Sequence, residues 1–154
     1  MCYSTEGIPR AFAHQHFSDI LLGQYQVLVM QKLGRSIRSL TTTLTTTESH
    51  KGSTTLKEDS IVKNVLLFAV QSIQRLEDLH NKGMIHNDIK PENFLMGVEG
   101  SDSVNGGANT VYIIDFGIAS MYKLRDLHVM YTDGHERRGT SGYQSLHNLL
   151  GEGE

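Results

Sequence analysis

The sequence predicts an α+β domain, on three observations. Residues 59–82 carry apolar side chains at spacings of three and four, the period of one helix face. Two pairs of short runs rich in β-branched and apolar residues, one within 17–31 and one flanking 97–109, read as strands. The segments between them are dominated by Gly, Ser, Thr and Asn, the residues of turns and loops.

In chain order, FSDILLGQYQVLVMQ (17–31) reads as two short strands around Gly23-Gln24, the second running from Tyr25 to Met30. LTTTLTTTESHKGSTT (40–55) has many hydroxyls and almost no core residues, so an exposed, solvated loop is expected there. In the helix, Val62, Val65, Leu66, Ala69, Ile73, Leu76 and Leu79 form one stripe facing a core. Asp59 or Ser60 can cap its start by accepting backbone N–H bonds. Gly83 can end it in a left-handed turn. NFLM and TVYIID, joined by GVEGSDSVNGGANT, form a hairpin with a long connection. From Lys123 to Glu154 polarity is mixed and no period is strong, so the expectation is a long ordered loop or an unfinished segment.

Composition narrows the function classes. The chain has 154 residues, enough for one domain with a core, with 38% hydrophobic and 20% charged residues. A net charge of -3 and the lack of a basic stripe give no footprint for nucleic acid. The single cysteine, Cys2, excludes an internal disulfide and a Cys-based zinc site. No apolar run reaches the about 18 residues of a membrane span. The opening MCYSTEGIPR lacks the basic end and apolar core of a secretory signal. A soluble intracellular protein, cytoplasmic or nuclear, with no nucleic-acid or membrane partner, is the expectation.

The chemistry concentrates in HNDIKPEN (86–93). In a hairpin the start of the first strand lies roughly 5 Å from the end of the second. Asn93 precedes one strand and Asp115 follows the other, so folding brings an amide oxygen and a carboxylate to one edge. Hard oxygen donors in such a pair suit Mg²⁺, which takes further ligands from water and phosphates. Asp88 and Lys90 fall on a turn stiffened by Pro91, setting a proton acceptor near a cation able to hold phosphate. Phosphoryl transfer needs those parts, and its catalysis is mostly positioning and electrostatics. Singly, each residue has a plainer reading. His86 braces the loop, Asp115 starts a turn, and Lys90 is a solvated charge. The order H-x-D-x-K-x-x-N, followed 22 residues later by D-F-G, is the specific signal.

With these motifs the chain resembles the eukaryotic protein kinases, and within them most closely the casein kinase I family. IHNDIKPENFLMG, VYIIDFGIA and GTSGYQSLHNLLG resemble that family's catalytic, metal and substrate-positioning loops. YQVLVMQKLGRSI resembles its linker between two lobes, and the likeness runs from about Ile8 to Gly151. The resemblance implies a partial protein-kinase-like fold over 1–154. In it, 8–39 is the end of the small lobe and the hinge, 40–58 a Thr/Ser-rich loop, and 59–154 the catalytic part of the large lobe. It implies ATP and Mg²⁺ as cofactors and a protein with Ser/Thr hydroxyls as substrate. Asp88 would orient the hydroxyl and accept its proton, Lys90 would neutralise the transferred phosphate, and Thr140 would hydrogen-bond near both. Asn93 and Asp115 would bind Mg²⁺. The backbone of Gln31 and Leu33 would hold the adenine edge, with Met30 behind it.

Several departures stand out. Asn87 replaces the arginine usual between His and Asp, removing a cation that often pairs with a phosphorylated segment. Thr132 stands where the casein kinase I pattern has an arginine for substrate phosphate, with Arg137 and Arg138 as candidates to replace it. No G-x-G-x-x-G occurs, nothing resembles the phosphate-holding strand lysine, and Lys32 falls in the linker instead. The helix glutamate that pairs with that lysine and the later helices of the large lobe are missing too, so the chain reads as a central slice of the domain. The alternative function is therefore a catalytically impaired fragment or pseudokinase-like binding module. A few hundred Å² of unburied apolar stripe, at about 25 cal/mol per Å², rivals the net stability of a small domain. The expectation is a marginal chain that associates with another protein or aggregates. A third chemistry, an iron site of His86 and Asp88 with His128, His135 or His147, is disfavoured because such sites sit on β-barrels.

Overall fold

The computed structural model describes residues 6–19, 23–47, 55–98, 107–124, 127–129 and 138–151. Strands β1 (Ala11–Asp19) and β2 (Gly23–Met30) form an antiparallel ribbon. Its register pairs Asp19 with Gly23, so Gly23 begins the second strand and Gly23-Gln24 is not the turn.

Helix α1 (Ile37–Thr47) occupies much of the segment expected to be a Thr-rich loop. Ile37 packs against the core, and Ser36 Oγ accepts the Ser39 N–H at 3.2 Å. Thr41 and Thr42 donate their hydroxyls back to the Arg38 carbonyl at 2.8 and 3.0 Å. The hydroxyls thus bond within the helix instead of pulling its backbone into a loop.

Helix α2 (Thr55–Asn81) starts before Asp59 and Ser60, so both lie inside the helix rather than at its first residue. Gly83 follows it with φ 77°, and its N–H bonds the His80 carbonyl at 2.8 Å. A Cβ there would press on the Lys123 carbonyl, so the turn requires glycine on two counts. The apolar stripe is split. Leu79 is buried and Phe68 and Leu76 pack on the core, but Val62, Val65, Leu66 and Ile73 are exposed, Ile73 at 66%. The pattern marks an apolar face, and among the described residues only part of it meets a core.

That core is a small hairpin. β4 (Phe94–Met96) pairs antiparallel with β5 (Val111–Ile113), Phe94 opposite Ile113 and Met96 opposite Val111. Phe94, Val111, Tyr112 and Ile113 are each at most 5% exposed. Phe94, Val111 and Ile113 point to one face, with Ile37, Phe68, Leu76, Met96 and Phe116 around them. Both outer edges are hydrogen-bonded. On the β4 side, Gly34 N–H donates to Met96 O at 2.7 Å and Met96 N–H to Arg35 O at 3.0 Å. On the β5 side, Val111 N–H donates to Gln71 Oε1 and Ile113 N–H to Gly7 O, both at 2.9 Å. Arg75 of α2, itself buried, donates to the Glu6 carbonyl and lies 3.8 Å from the Glu6 and Asp78 carboxylates.

The remaining strands are short. β3 (Met84–Ile85) pairs with β6 (Ser120–Met121), and β7 (Lys123–Leu124) with β8 (Leu127–His128). Helix α3 (Leu146–Leu150) is capped by Ser145, which accepts the Asn148 N–H, and ends at Gly151. The tail therefore holds a small ribbon and a helical turn where a long ordered loop or an unfinished segment was expected.

Candidate active site

β3 delivers the chain into the site. His86 follows it at 1% exposure, with Nε2 2.9 Å from the Ile114 carbonyl and Nδ1 accepting the Asp88 N–H at 3.2 Å. The ring thus ties the loop before Asp88 to the strand end before Asp115. After Lys90 the chain closes a 3-10 turn, Pro91–Asn93, whose first position suits proline's fixed φ and absent N–H. Asn93 N–H bonds Lys90 O at 3.0 Å, completing that turn.

The side chains of Asp88, Lys90 and Thr140 form a closed hydrogen-bonded ring. Lys90 Nζ donates to Asp88 Oδ2 at 2.6 Å and to Thr140 Oγ1 at 2.7 Å. Thr140 Oγ1 donates to Asp88 Oδ1 at 2.7 Å, and its N–H reaches the same oxygen at 2.8 Å. One hydroxyl thereby donates once and accepts once, within its capacity. Asn93 Nδ2 adds bonds to Asp88 O at 2.8 Å and Oδ2 at 3.3 Å. Burial alone would raise the Asp88 pKa. The bonds from Lys90 and Thr140, with the ammonium charge, outweigh it and hold the carboxyl at about 2. The bond to Asp88 raises the Lys90 pKa against its own burial, helped by the charges of Asp88, Asp115 and Glu92. Both groups are ionised at neutral pH.

The hairpin brings the second pair of candidates together. Ile114 N–H donates to Asn93 O at 3.0 Å, so Asn93 and Asp115 flank the same hairpin end. Asn93 turns its amide nitrogen to Asp88, which leaves the amide oxygen as the atom it can offer a cation. Asp115 is exposed, with φ 66°. Two hard oxygen donors beside a fixed ammonium fit Mg²⁺ on a polyphosphate. A family model, protein kinase domain, matches residues 25–146. The chain belongs to the protein kinase family. In this kinase the ring of Asp88, Lys90 and Thr140 and the hairpin end thus form one connected group.

The linker residues stand apart from that group. Met30 ends β2 and is exposed, and Gln31 N–H is committed to Arg10 O at 2.7 Å. Gln31 Nε2 lies 3.4 Å from Tyr112 Oη, and Gly34 bonds Met96, so Leu33 is carried alongside β4. Thr132, Arg137 and His135 lie outside the described residues. The iron reading fails at His86, because both ring nitrogens of this kinase's histidine are already bonded.

Three contributors escaped the sequence reading. Gly139, at φ 88°, passes so close to the Asn87 carbonyl that a Cβ would collide with it, and this delivers Thr140 to Asp88. Asn148 of α3 brackets Arg138, donating to its carbonyl at 2.7 Å and accepting its N–H at 3.1 Å, which anchors the same loop. Asn87 is the third. The glycines of GTSG were a visible signal for the first, while nothing in the sequence singled out Asn148.

Proposed function

We propose that this protein kinase is a Ser/Thr kinase of the casein kinase I type, moving the ATP γ-phosphoryl group to a protein hydroxyl. The observation that carries the reading is the ring of Asp88, Lys90 and Thr140 with Asn93 bonded to it. Asp88 orients the substrate hydroxyl. Its pKa of about 2 makes it a weak base, so it takes the proton late, as the new P–O bond forms and the hydroxyl becomes acidic. The bond from the γ-phosphorus to the ADP oxygen breaks in the same step. Lys90 then has phosphate oxygens to hold in place of the carboxylate. Asn93 and Asp115 are the residues that would hold Mg²⁺, which supplies charge neutralisation between the phosphates. The Gln31 carbonyl and Leu33 N–H would meet the adenine edge, with Met30 behind it. The place of Thr140, bridging acid and ammonium, supports the Ser/Thr assignment.

The test is Mg-ATP binding by calorimetry, followed by phosphate transfer to an acidic protein. Asp88→Ala is expected to lower kcat roughly 10²- to 10⁴-fold with nucleotide affinity little changed. Activity that survives that substitution would remove Asp88 from the mechanism. Failure to bind nucleotide would leave only the binding-module reading.

A further inference from the structure

Asn87 has a positive φ of 66°, a conformation that asparagine tolerates better than most residues. Its amide carries two hydrogens, and both are used. Nδ2 donates to the Ile118 carbonyl at 2.9 Å and to Ser120 Oγ at 2.8 Å. His86, its neighbour, bonds the Ile114 carbonyl. Two consecutive residues therefore grip opposite ends of the turn 114–120, which contains Asp115. Inside it, Ala119 N–H closes on Phe116 O at 3.1 Å, and the Phe116 ring lies 5.1 Å from that of His86. Past the grip, Ser120 pairs with Ile85 and Tyr122 N–H bonds Gly83 O at 2.9 Å, so the turn re-enters the fold where β3 left it.

We infer that Asn87 is a positioning residue that, with His86, clamps the turn 114–120 and so fixes where Asp115 presents its carboxylate. The Asn87 half of the clamp is neutral and short, made within the chain, and needs no charged group. The left-handed backbone at Asn87 is thus held by two side-chain bonds to the turn that carries Asp115. Asn87 itself touches no substrate. The inference rests on the reading of Asp115 as a Mg²⁺ ligand.

The experiment uses the full chain and two readouts. Asn87→Gly keeps the left-handed backbone and removes only the amide, and Ser120→Ala removes one of its two acceptors. The first readout is amide hydrogen exchange at Ala119, Tyr122 and Lys123, with Val111 and Ile113 as internal controls. Asn87→Gly is expected to speed exchange at the first three about tenfold and Ser120→Ala about threefold, the scale of modest net hydrogen bonds, with the controls unchanged. The second readout is the tightening of ATP binding by Mg²⁺, as Kd in EDTA over Kd in excess Mg²⁺. That ratio is expected to fall about tenfold in Asn87→Gly, with the EDTA value unchanged. Unaltered exchange in Asn87→Gly would overturn the clamp, and faster exchange with an unaltered Mg²⁺ ratio would overturn the positioning of Asp115. If the unsubstituted chain binds no nucleotide, the phosphotransfer reading falls, and the exchange arm still decides whether the clamp exists.

Discussion

The ribbon β1–β2 pairs its strands at eight positions, while β4–β5 pairs at three, yet the shorter one carries the site. The long ribbon is exposed along its length, with Leu28 at 55% and Val29 at 50%. The short hairpin is buried, and its outer edges are hydrogen-bonded by Gln71, Gly7, Gly34 and Arg35. Strand length is a poor guide to rigidity. What fixes a pair of strands is burial of one face and partners for the edge amides, because a two-stranded ribbon alone is marginal in water. Asn93 and Asp115 sit at the end of the pair that is fixed.

The comparison breaks most directly at the two apolar faces. Ile113→Ala should cost about 2–5 kcal/mol by the denaturant midpoint, because it empties a closed space between hairpin and helix. Leu28→Ala on the exposed ribbon should stay within about 0.5 kcal/mol. Equal losses would mean the ribbons are not different in kind. A smaller effect tests the edges. Gln71→Ala strands the Val111 N–H and should cost about 1–3 kcal/mol, whereas Gln26→Ala, which loses only an exposed bond to His14, should cost little.

Acid should separate the two regions more gently. The Asp88 pKa is lowered, so its ionised form contributes stability above the ordinary value of 3.8, and that contribution is lost as pH falls toward about 2. Hydrogen exchange at Ile113 should therefore quicken across that window and stay flat from pH 5 to 8 once corrected for intrinsic rates. Asp88→Asn should abolish the acid step. The smallest change is expected from Arg38→Ala. Its 3.8 Å pair with Glu92 is exposed on both sides and is worth under about 1 kcal/mol, read by thermal denaturation.

The contrast also explains what was legible in the sequence. The hairpin was readable because its runs are apolar and its connection is Gly-, Ser- and Asn-rich, and burial enforces such a pattern. The grouping of Asp88, Lys90 and Asn93 followed from spacing within one turn. Helix α1 was not readable, since β-branched Thr is a weak helix former and its packing partner Phe94 lies far along the chain. The exposed half of α2 looked like core because periodicity reports a face and not its cover. Strands of two residues, such as β3 and β6, are below any periodic signal. Asn87 was visible as a departure, but its left-handed backbone and its two acceptors exist only in three dimensions.

The contact between Arg75, Glu6 and Gly7 has a practical outcome. A protease cutting just ahead of Arg10 would not be trimming a loose end. It would uncover a guanidinium and take away the acceptor of Ile113, so a nick there should be felt in the hairpin that ends at Asn93 and Asp115. Shortened recombinant versions of this polypeptide should retain the segment from Glu6 onward.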